Sequence, residues 1–489
     1  MDVHARPSRR QFVKRTLVTT GTLGWTAASG QSAGRDRKQV DSGSLNKFRA
    51  QLKGGLITPT DPGYEAARRV YFWNPATERH PAVIARCVHA DDVRRAVEFA
   101  RTHGLEVAVR GGGHSILGWG ASHGLVIDLT GMKRLSIDPA RRIGRVDAGV
   151  SGAEVVRSAG RYGLAPVLGQ CPDVGAAGIT LGGGLGWLSG LHGASCDNLV
   201  SARIVAPNGA ILPVDAERNP ELLWGLRGAG ANFGVATSLE LRLHPVETVT
   251  AGDIYYPARE ARPVLRFFRT LMAEAPDSFQ ATINLTTGAR GVFIMLCHAG
   301  SGVEAERLCR NLRTVATPSR DTIRRQRFAE LADQKYVASS VDANFRYVTT
   351  AYRNQLSGEV VDAALDSLSG APPEMVLGIS HYLHGEVCRV APDSTAFPLR
   401  EQGGIHIRAS VDWNDPAAAP RLMRWADEVR RRLRPASGER IYANYQSYDG
   451  QGSAEAVFGA NLARLAALKN RYDPANLFRR NSNIEPRQA

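Results

Sequence analysis

The first half of the chain alternates short apolar runs with amphipathic segments. Residues 81–88 form an apolar run that predicts a strand, and residues 91–102 have apolar positions three and four residues apart, which predicts a helix capped by Asp91 or Asp92. The next apolar run, at 106–110, predicts a strand that leads directly into three glycines. The pattern continues with predicted strands at 125–129, 145–150 and 198–205, a predicted helix at 152–163 and a hairpin turn at 207–210.

The pattern changes near residue 245, where glycine becomes rarer and alternating strands mix with longer helices. A strand predicted at 405–413 alternates so that His406, Arg408 and Ser410 share one face. This organisation predicts a domain at 45–248, a second domain at 249–438 and a C-terminal segment at 439–489 that contains a helix at 455–471.

The composition is that of a soluble globular protein. The chain has 489 residues, of which 43% are hydrophobic and 22% are charged, enough for two or three domains with a sizeable core. The net charge is +14, but the densest basic runs, at 324–327 and 430–434, lack the interleaved aromatic residues of a base-stacking surface. The second run closes a predicted amphipathic helix that begins near Arg421. We therefore expect no nucleic-acid partner.

The N-terminus carries a pattern typical of export. Residues 8–14 read SRRQFVK and precede a mildly apolar, uncharged run at 17–28. This pattern is similar to a twin-arginine signal, which predicts a leader at 1–34, recognition by the twin-arginine translocase and a periplasmic or secreted protein. The run is too short to span a bilayer comfortably, so we expect no stable membrane anchor. The alternative is a frayed basic terminus.

The cysteine and histidine positions do not predict a metal site. Six cysteines are scattered without a C-x-x-C pair, which argues against a metal cluster and a dense disulfide framework, although one or two disulfides would suit an exported protein. His381 and His384 lie three residues apart, a spacing too common to indicate a metal.

Two glycine clusters are the strongest chemical signal. Residues 111–113 follow a predicted strand, and residues 182–186 close a glycine-rich stretch, 169–186, that also contains Cys171. The amides of such loops can form a concavity that binds anions, so a phosphate-bearing ligand is expected. Neither cluster fits G-x-G-x-x-G, no G-x-x-x-x-G-K-[ST] is present, and G-x-S-x-G occurs only inside the predicted leader.

Several ordered motifs resemble those of one flavoprotein family. They are Arg110-Gly-Gly-Gly-His114-Ser115, Cys171-Pro-Asp-Val-Gly175, Gly182-Gly-Gly-Leu-Gly186 and the stretches at 222–234, 442–445 and 472–478. Together they resemble the berberine bridge enzyme-like flavoprotein oxidases, whose fold is that of the vanillyl-alcohol oxidase superfamily, over nearly all of the chain after residue 75. Parts of the glycine-rich sequence are also similar to bacterial 6-hydroxynicotine oxidases, which carry the histidine but no cysteine. The resemblance implies an α+β fold: a PCMH-type FAD-binding domain of two α/β subdomains, and a substrate domain with an antiparallel sheet covered by helices.

The resemblance implies FAD held by two covalent bonds. His114 would attach to the 8α-methyl group of the flavin and Cys171 to C6, and two electron-withdrawing tethers would raise its potential. A single bond through His114, with Cys171 as a buried structural thiol, is the alternative. Val174 matches a small side chain beside the flavin that leaves access for O2, which favours an oxidase. The other implied cofactor-binding residues are Arg110, Gly111, Gly112, Gly113, Ser115, Gly175, Gly178, Gly182, Gly183, Asp197, Asn198, Val235 and Asn444.

The resemblance also implies a catalytic base, which corresponds to Tyr445. A free phenol is too weak a base near neutral pH, so a nearby cation must favour the phenolate. Related enzymes have lysine and a glutamine, glutamate or asparagine where this chain has His406 and Arg408, which weakens any inference of substrate. Arg408 would stabilise a Tyr445 phenolate or bind an anionic substrate. The alternative is that His406 and Arg408 face solvent on an edge strand.

These features together predict an FAD-dependent oxidase. It would remove hydride from a small-molecule alcohol, a carbohydrate or polyol, and be reoxidised by O2 to give H2O2, with no metal. One alternative is an amine or natural-product oxidase, either like 6-hydroxynicotine oxidase or catalysing oxidative ring closure. Another, of a different class, is a non-catalytic flavin-binding protein.

Overall fold

In the computed structural model, the residues described are 40–287, 290–333, 343–380, 382–436, 438–447 and 454–487. The predicted leader at 1–34 and His381 lie outside them. The described chain contains three sheets, flanked by helices. Among the described residues, no helix has both the length and the apolar character needed to cross a bilayer. The same residues contain no group of three or more His, Cys, Asp or Glu side chains placed to hold a metal ion.

The first sheet delivers the first glycine loop. Its strands are β1 (Gly55–Ile57), β2 (Val83–Arg86), β3 (Val107–Arg110) and β4 (Leu125–Asp128), in the order β1-β2-β4-β3. Strands β2, β3 and β4 are parallel, and β1 is antiparallel to β2. The helices of this part are α1 (Ser42–Gln51), α2 (Tyr64–Arg68) and α3 (Ala90–His103). Strand β3 ends where the 111–113 glycines begin, as the sequence predicts.

The predicted cap of α3 is wrong. The N-cap residue is His89, and it makes no side-chain capping bond. Asp92 lies in the first turn, where its carboxylate accepts hydrogen bonds from the amides of Val88 at 3.0 Å and Lys53 at 2.8 Å. The acidic side chain therefore holds the chain that enters the helix, and it also favours the positive end of the helix dipole.

The second sheet is antiparallel. Its strands are β5 (Leu135–Asp138), β6 (Ile143–Asp147), β7 (Leu164–Pro166), β8 (Leu199–Val205), β9 (Ile211–Val214) and β10 (Val235–Pro245), in the order β5-β6-β10-β8-β9 with β7 also on β10. The 207–210 turn joins β8 and β9 as predicted, with Gly209 at φ 85°. The helix predicted at 152–163 ends at residue 160. The helices here are α4 (Gly152–Gly160), α5 (Ala176–Leu181), α6 (Ser189–His192) and α7 (Pro220–Ala229).

The third sheet has an apolar face that packs against helices and an opposite face that is polar around Asn284 and Arg408. Its strands are β11 (Thr248–Tyr256), β12 (Phe279–Leu285), β13 (Val292–His298), β14 (Arg320–Asp321), β15 (Arg324–Arg327), β16 (Phe345–Arg353), β17 (Met375–Ser380) and β18 (Ile405–Trp413). They are antiparallel and run in the order β14-β11-β13-β12-β17-β18-β16, with β15 also paired to β11. Alternate residues such as Ile283, Leu377 and Ile407 pack with the covering helices, whereas Asn284 and Arg408 lie on the opposite face. The helices are α8 (Ala261–Ala273), α9 (Gly302–Val315), α10 (Gly358–Asp366), α11 (Glu386–Arg389) and α12 (Ala419–Leu433).

The C-terminal segment returns to the first two sheets. The helix predicted at 455–471 is interrupted: α13 (Ala454–Phe458) and α14 (Leu462–Tyr472) are separated by a tight turn at 459–461, where Gly459 has φ 52°. Lys469 of α14 is fully buried and donates hydrogen bonds to the Asn232 carbonyl, the Phe478 carbonyl and the Asp473 carboxylate, at 3.0, 3.0 and 2.8 Å. These bonds hold the C-terminal tail, residues 478–484, in place.

The architecture confirms the predicted α+β class, with a mixed first part and an antiparallel sheet covered by helices. The predicted boundary after residue 248 falls at the first residue of β11. The boundaries themselves remain predictions.

Candidate active site

A cavity of about 340 Å³ lies between the two glycine loops, the polar face of the third sheet and the C-terminal tail. This is a volume typical of small-molecule and cofactor sites. The predicted site residues that line it are Arg110, Gly111, Gly112, Gly113, His114, Ser115, Cys171, Val174, Gly175, Gly178, Gly182, Val235, Arg408, Asn444 and Tyr445.

The two glycine loops touch each other at the floor of the cavity. A Cβ added to Gly112 would lie 2.8 Å from the Cα of Gly175, which leaves no room for a side chain at either position. Arg110 supports the first loop, because its buried guanidinium donates hydrogen bonds to the carbonyls of Gly120, at 3.0 Å, and of Ala67. Gly113 has φ 74°, a left-handed conformation that presents the next residue, His114, to the cavity.

His114 is held as a neutral imidazole. Its ring stacks on Tyr71, with centroids 4.0 Å apart and planes inclined by 16°. Burial lowers the pKa of His114 to about 4; Asp173 opposes the shift and Arg346 adds to it. At neutral pH the ring is therefore uncharged, and one of its nitrogens keeps a free electron pair. This neutral form of the imidazole is the one that can bond to carbon.

Cys171 opens onto the same cavity. Burial raises the pKa of its thiol to about 11, while hydrogen bonding from the Asp173 amide and the charge of Arg408 act in the opposite direction. The sulfur is therefore a thiol at neutral pH. Its half-buried position on the cavity wall differs from that of Cys87, Cys196 and Cys297, which lie inside the core. All six cysteines lie in the described residues and are unpaired.

The second loop leaves space for a large ligand. A Cβ at Gly178, which lines the cavity, would meet nothing within 4 Å. Gly182 makes room for Asn444: an added Cβ would lie 2.7 Å from the Asn444 amide carbon. Asn444 in turn donates hydrogen bonds to the Ile179 carbonyl and the Tyr442 hydroxyl, both at 3.0 Å. A glycine cradle with an imidazole and a thiol on its walls fits a flavin dinucleotide.

Tyr445 forms the opposite wall together with Arg408. The Thr350 hydroxyl donates to the Tyr445 carbonyl at 2.8 Å, and Thr350 is paired in register with Arg408. The Arg408 side chain crosses Gly378, its register partner on β17, and donates to the Asn284 carbonyl oxygen Oδ1 at 3.4 Å. A cation and a phenol therefore share one side of the cavity.

His406 and Arg408 are not on an edge strand. Strand β18 lies between β17 and β16, and the two side chains are 1% and 8% exposed, so the solvent-facing alternative is wrong. His406 does not line the large cavity. Its ring lies 5.6 Å from that of Tyr445 and perpendicular to it, and 5.0 Å from Tyr442. His406 therefore packs against the rings of Tyr442 and Tyr445, whereas Arg408 lines the cavity.

Three predicted cofactor residues lie away from the cavity. Gly183 packs against Phe397 and Tyr442. Asp197 forms a buried two-bond ion pair with Arg400, at 2.7 and 2.8 Å. Asn198 bonds the carbonyls of His192 and Ala194 and the ring of His244, the last at 2.7 Å. These residues build the turn behind the second loop, and the structure does not bring them to the cofactor cradle. The roles of all other site residues remain predictions.

Sequence reasoning missed several residues that line the cavity. Tyr71 and Trp119 belong to no motif, and Gln170 precedes Cys171 without a distinctive pattern. Gln170 accepts a hydrogen bond from Thr282 of β12 at 3.1 Å and so ties the cysteine loop to the third sheet. The C-terminal tail contributes Phe478, Arg480, Asn481 and Ser482. The motif at 472–478 belongs to the family resemblance, but it does not predict that the residues after it line the cavity.

Comparison with known proteins identifies the class. Residues 81–215 match a family described as FAD binding domain, and residues 441–485 match one described as berberine and berberine like. The chain is 30% identical over 454 residues to (R)-6-hydroxynicotine oxidase of Paenarthrobacter nicotinovorans, covering 89% of this chain and 97% of that protein. The crystal structure of 6-hydroxy-D-nicotine oxidase from Arthrobacter nicotinovorans matches with TM-score 0.80 and 29% identity, covering 89% and 98% of the two chains. A chitooligosaccharide oxidase shares the fold, with TM-score 0.76, 22% identity and coverage of 91% and 100%.

The fold and the cavity therefore define an FAD-binding oxidoreductase. The chain belongs to the berberine bridge enzyme-like FAD-linked oxidoreductases, which confirms the resemblance stated from its motifs.

Proposed function

We propose that the protein is an exported oxidase that removes hydride from an alcohol, a carbohydrate or polyol, with FAD bound covalently through both His114 and Cys171 and reoxidised by O2 to H2O2. The observation that carries this proposal is the shared cavity of His114, Cys171 and Tyr445. The motif at 8–14 supports export.

FAD would supply the hydride acceptor, at N5, and the route of electrons to O2. The chain supplies the rest. Tyr445 takes the proton of the substrate hydroxyl, and Arg408 stabilises the phenolate that makes this possible. The backbone of Tyr445 is held by Thr350, so its phenol is presented from a fixed point on the third sheet. Val174, a small side chain on the cavity wall, leaves a path for O2.

Polar side chains on the cavity wall near Arg408 suit a hydroxylated substrate. Gln170, Ser410 and Asp412 line the cavity beside Arg408. Hydrogen-bond donors and acceptors of this kind orient a polyol better than an apolar ring system.

An amine or natural-product oxidase is the second candidate. It is favoured by the 30% identity to (R)-6-hydroxynicotine oxidase. A flavin-binding protein without catalytic activity is the third. It is disfavoured by the placement of a phenol and a guanidinium in the cradle.

The test is a peroxide assay of the purified yellow protein with sugars, polyols, alcohols and amines. We expect H2O2 with a member of the first three groups, and no anaerobic flavin reduction in Tyr445→Phe, while the flavin stays attached. Tyr162→Phe, a change at a tyrosine that is 53% exposed, is the matched control. Turnover of amines alone would favour the second candidate. Flavin reduction at the parental rate in Tyr445→Phe would reject the assigned base.

Mass spectrometry of proteolytic peptides tests the two bonds. Flavin mass is expected on the peptides that contain His114 and Cys171. Flavin on the His114 peptide alone would leave a single bond, and unmodified peptides from yellow protein would reject both.

A further inference from the structure

Tyr71 contacts both the ring of His114 and the peptide before it. The rings stack at 4.0 Å, and the Tyr71 amide donates a hydrogen bond to the Gly113 carbonyl at 3.1 Å. Both side chains line the cavity. The orientation of the imidazole is therefore set by a residue outside the glycine loop.

Arg346, on β16, holds Tyr71 from the third sheet. Its guanidinium carbon lies 4.6 Å from the centroid of the Tyr71 ring, and its Nη1 donates to the Tyr71 carbonyl at 3.5 Å. The backbone is clamped as well: the Arg346 amide donates to the Trp73 carbonyl, and Asn74 Nδ2 donates to the Arg346 carbonyl, both at 2.9 Å. We call His114, Tyr71 and Arg346 the imidazole cluster.

Burial of the cluster, assisted by Arg346, favours the neutral ring of His114 over the imidazolium. Burial lowers the pKa of His114 to about 4, and Arg346 acts in the same direction. Asp173, in the second glycine loop, opposes them. Asp412, on β18, is the register partner of Arg346 on β16. Because an imidazolium has no free electron pair, the cluster keeps the ring in the form that can bond to carbon.

We propose that Tyr71 and Arg346 are positioning residues for attachment of the flavin to His114. This inference rests on the proposed function, because it presumes that His114 carries the flavin. Tyr71 holds the plane of the imidazole, while Arg346 holds Tyr71 and disfavours the imidazolium. In the attachment, a ring nitrogen gains a bond to the 8α carbon as the imidazole N–H and one methyl C–H bond break. Two protons and two electrons pass to O2, giving H2O2.

The test uses the full chain in a Cys171→Ala background, in which covalent flavin reports on His114 alone. The protein is incubated with FAD in air, and the fraction of flavin retained after acid precipitation is followed with time. The mass of the His114 peptide confirms the position. The variants are Tyr71→Leu, Tyr71→Phe and Arg346→Met. The controls are Tyr162→Leu and Arg259→Met, which alter exposed side chains of the same types.

We expect Tyr71→Leu to slow attachment by roughly tenfold or more, because the ring plane is no longer held. Tyr71→Phe should attach flavin at the parental rate, since stacking on His114 requires the ring of residue 71 and not its hydroxyl. Arg346→Met removes a charge that lowers the pKa of His114. Its rate should therefore begin to fall at a higher pH than the parental rate as the pH is lowered from about 6 toward about 4, because more of the imidazole is protonated there.

Parental attachment rates in Tyr71→Leu, or an unchanged pH profile in Arg346→Met, would overturn the proposal. If Tyr71→Leu does not fold, the pH profile of Arg346→Met decides alone. A parent without flavin on His114 would instead refute the covalent bond of the proposed function. If the parent carries flavin on His114 and the variants attach it at the parental rate, only the positioning role is refuted.

Discussion

The buried ion pair of α14 offers a quantitative test of how the C-terminal tail is held. Lys469 and Asp473 are both 0% exposed, and Nζ lies 2.8 Å from Oδ2. The Asp473 carboxylate also accepts hydrogen bonds from the amides of Leu477 and Phe478, both at 2.9 Å. The change Lys469→Met removes the cation, keeps an unbranched side chain and leaves the carboxylate buried beside two backbone donors.

The expected loss follows from burial rather than from distance. Removing one partner of a buried, hydrogen-bonded pair destabilises a protein by about 3–5 kcal/mol, because the remaining charge is uncompensated. Arg262 and Asp362 form a pair at the same distance, 2.8 Å, but their side chains are 51% and 54% exposed. For such a pair the expected loss is about 0.2–1 kcal/mol. Arg262→Met is therefore the matched control.

The assay is urea unfolding of both variants, followed by circular dichroism and by tryptophan fluorescence. The double variant Lys469→Met/Asp473→Leu should recover part of the loss, since no buried charge remains. The tail lines the cavity, so Lys469→Met should also weaken non-covalent FAD retention in a protein that lacks both tethers. Equal losses in Lys469→Met and Arg262→Met would refute the reasoning.

Three further predictions concern the site and its surroundings. Gly378→Ala places a Cβ 3.2 Å from Nη2 of Arg408 and should slow anaerobic flavin reduction roughly tenfold at unchanged flavin content; a parental rate would contradict it. Val174→Phe should slow reoxidation by O2 in stopped flow while anaerobic reduction changes by less than roughly twofold, and equal slowing of both would argue against an oxygen path. Burial and His192 lower the pKa of His244 from 6.5 to about 4, so below 6.5 the unfolded chain takes up the proton first. The stability from this ring is complete above 6.5 and is lost as pH falls toward 4. Thermal unfolding of His244→Asn should therefore depend less on pH than the parent over that range.

Local patterns predicted the strands and loops well, because these elements depend mainly on residues that are neighbours in sequence. The run at 106–110, the Asn208-Gly209 turn and the alternation at 405–413 each correspond to an observed element. Helix ends were less accurate. The Asp92 carboxylate bonds backbone amides outside α3, and a left-handed Gly459 divides the last predicted helix.

Contacts between distant segments carried no local signal. The family motifs indicated His114 and Cys171, but nothing near Tyr71 in sequence predicts a stack on His114. Asp197 is next to Cys196 in a glycine-rich region that suggests a cofactor, yet its partner is Arg400, some two hundred residues away. Only the fold shows which of these polar residues face the cavity and which hold the loops behind it.

The contact between Gly112 and Gly175 has a consequence for anyone who wishes to redesign this protein. Each position excludes even a methyl group because of the other, so the two loops cannot be diversified independently. Mutational libraries should leave both glycines unchanged, and Gly178 as well, because the open space beside it belongs to the cavity that would hold the flavin.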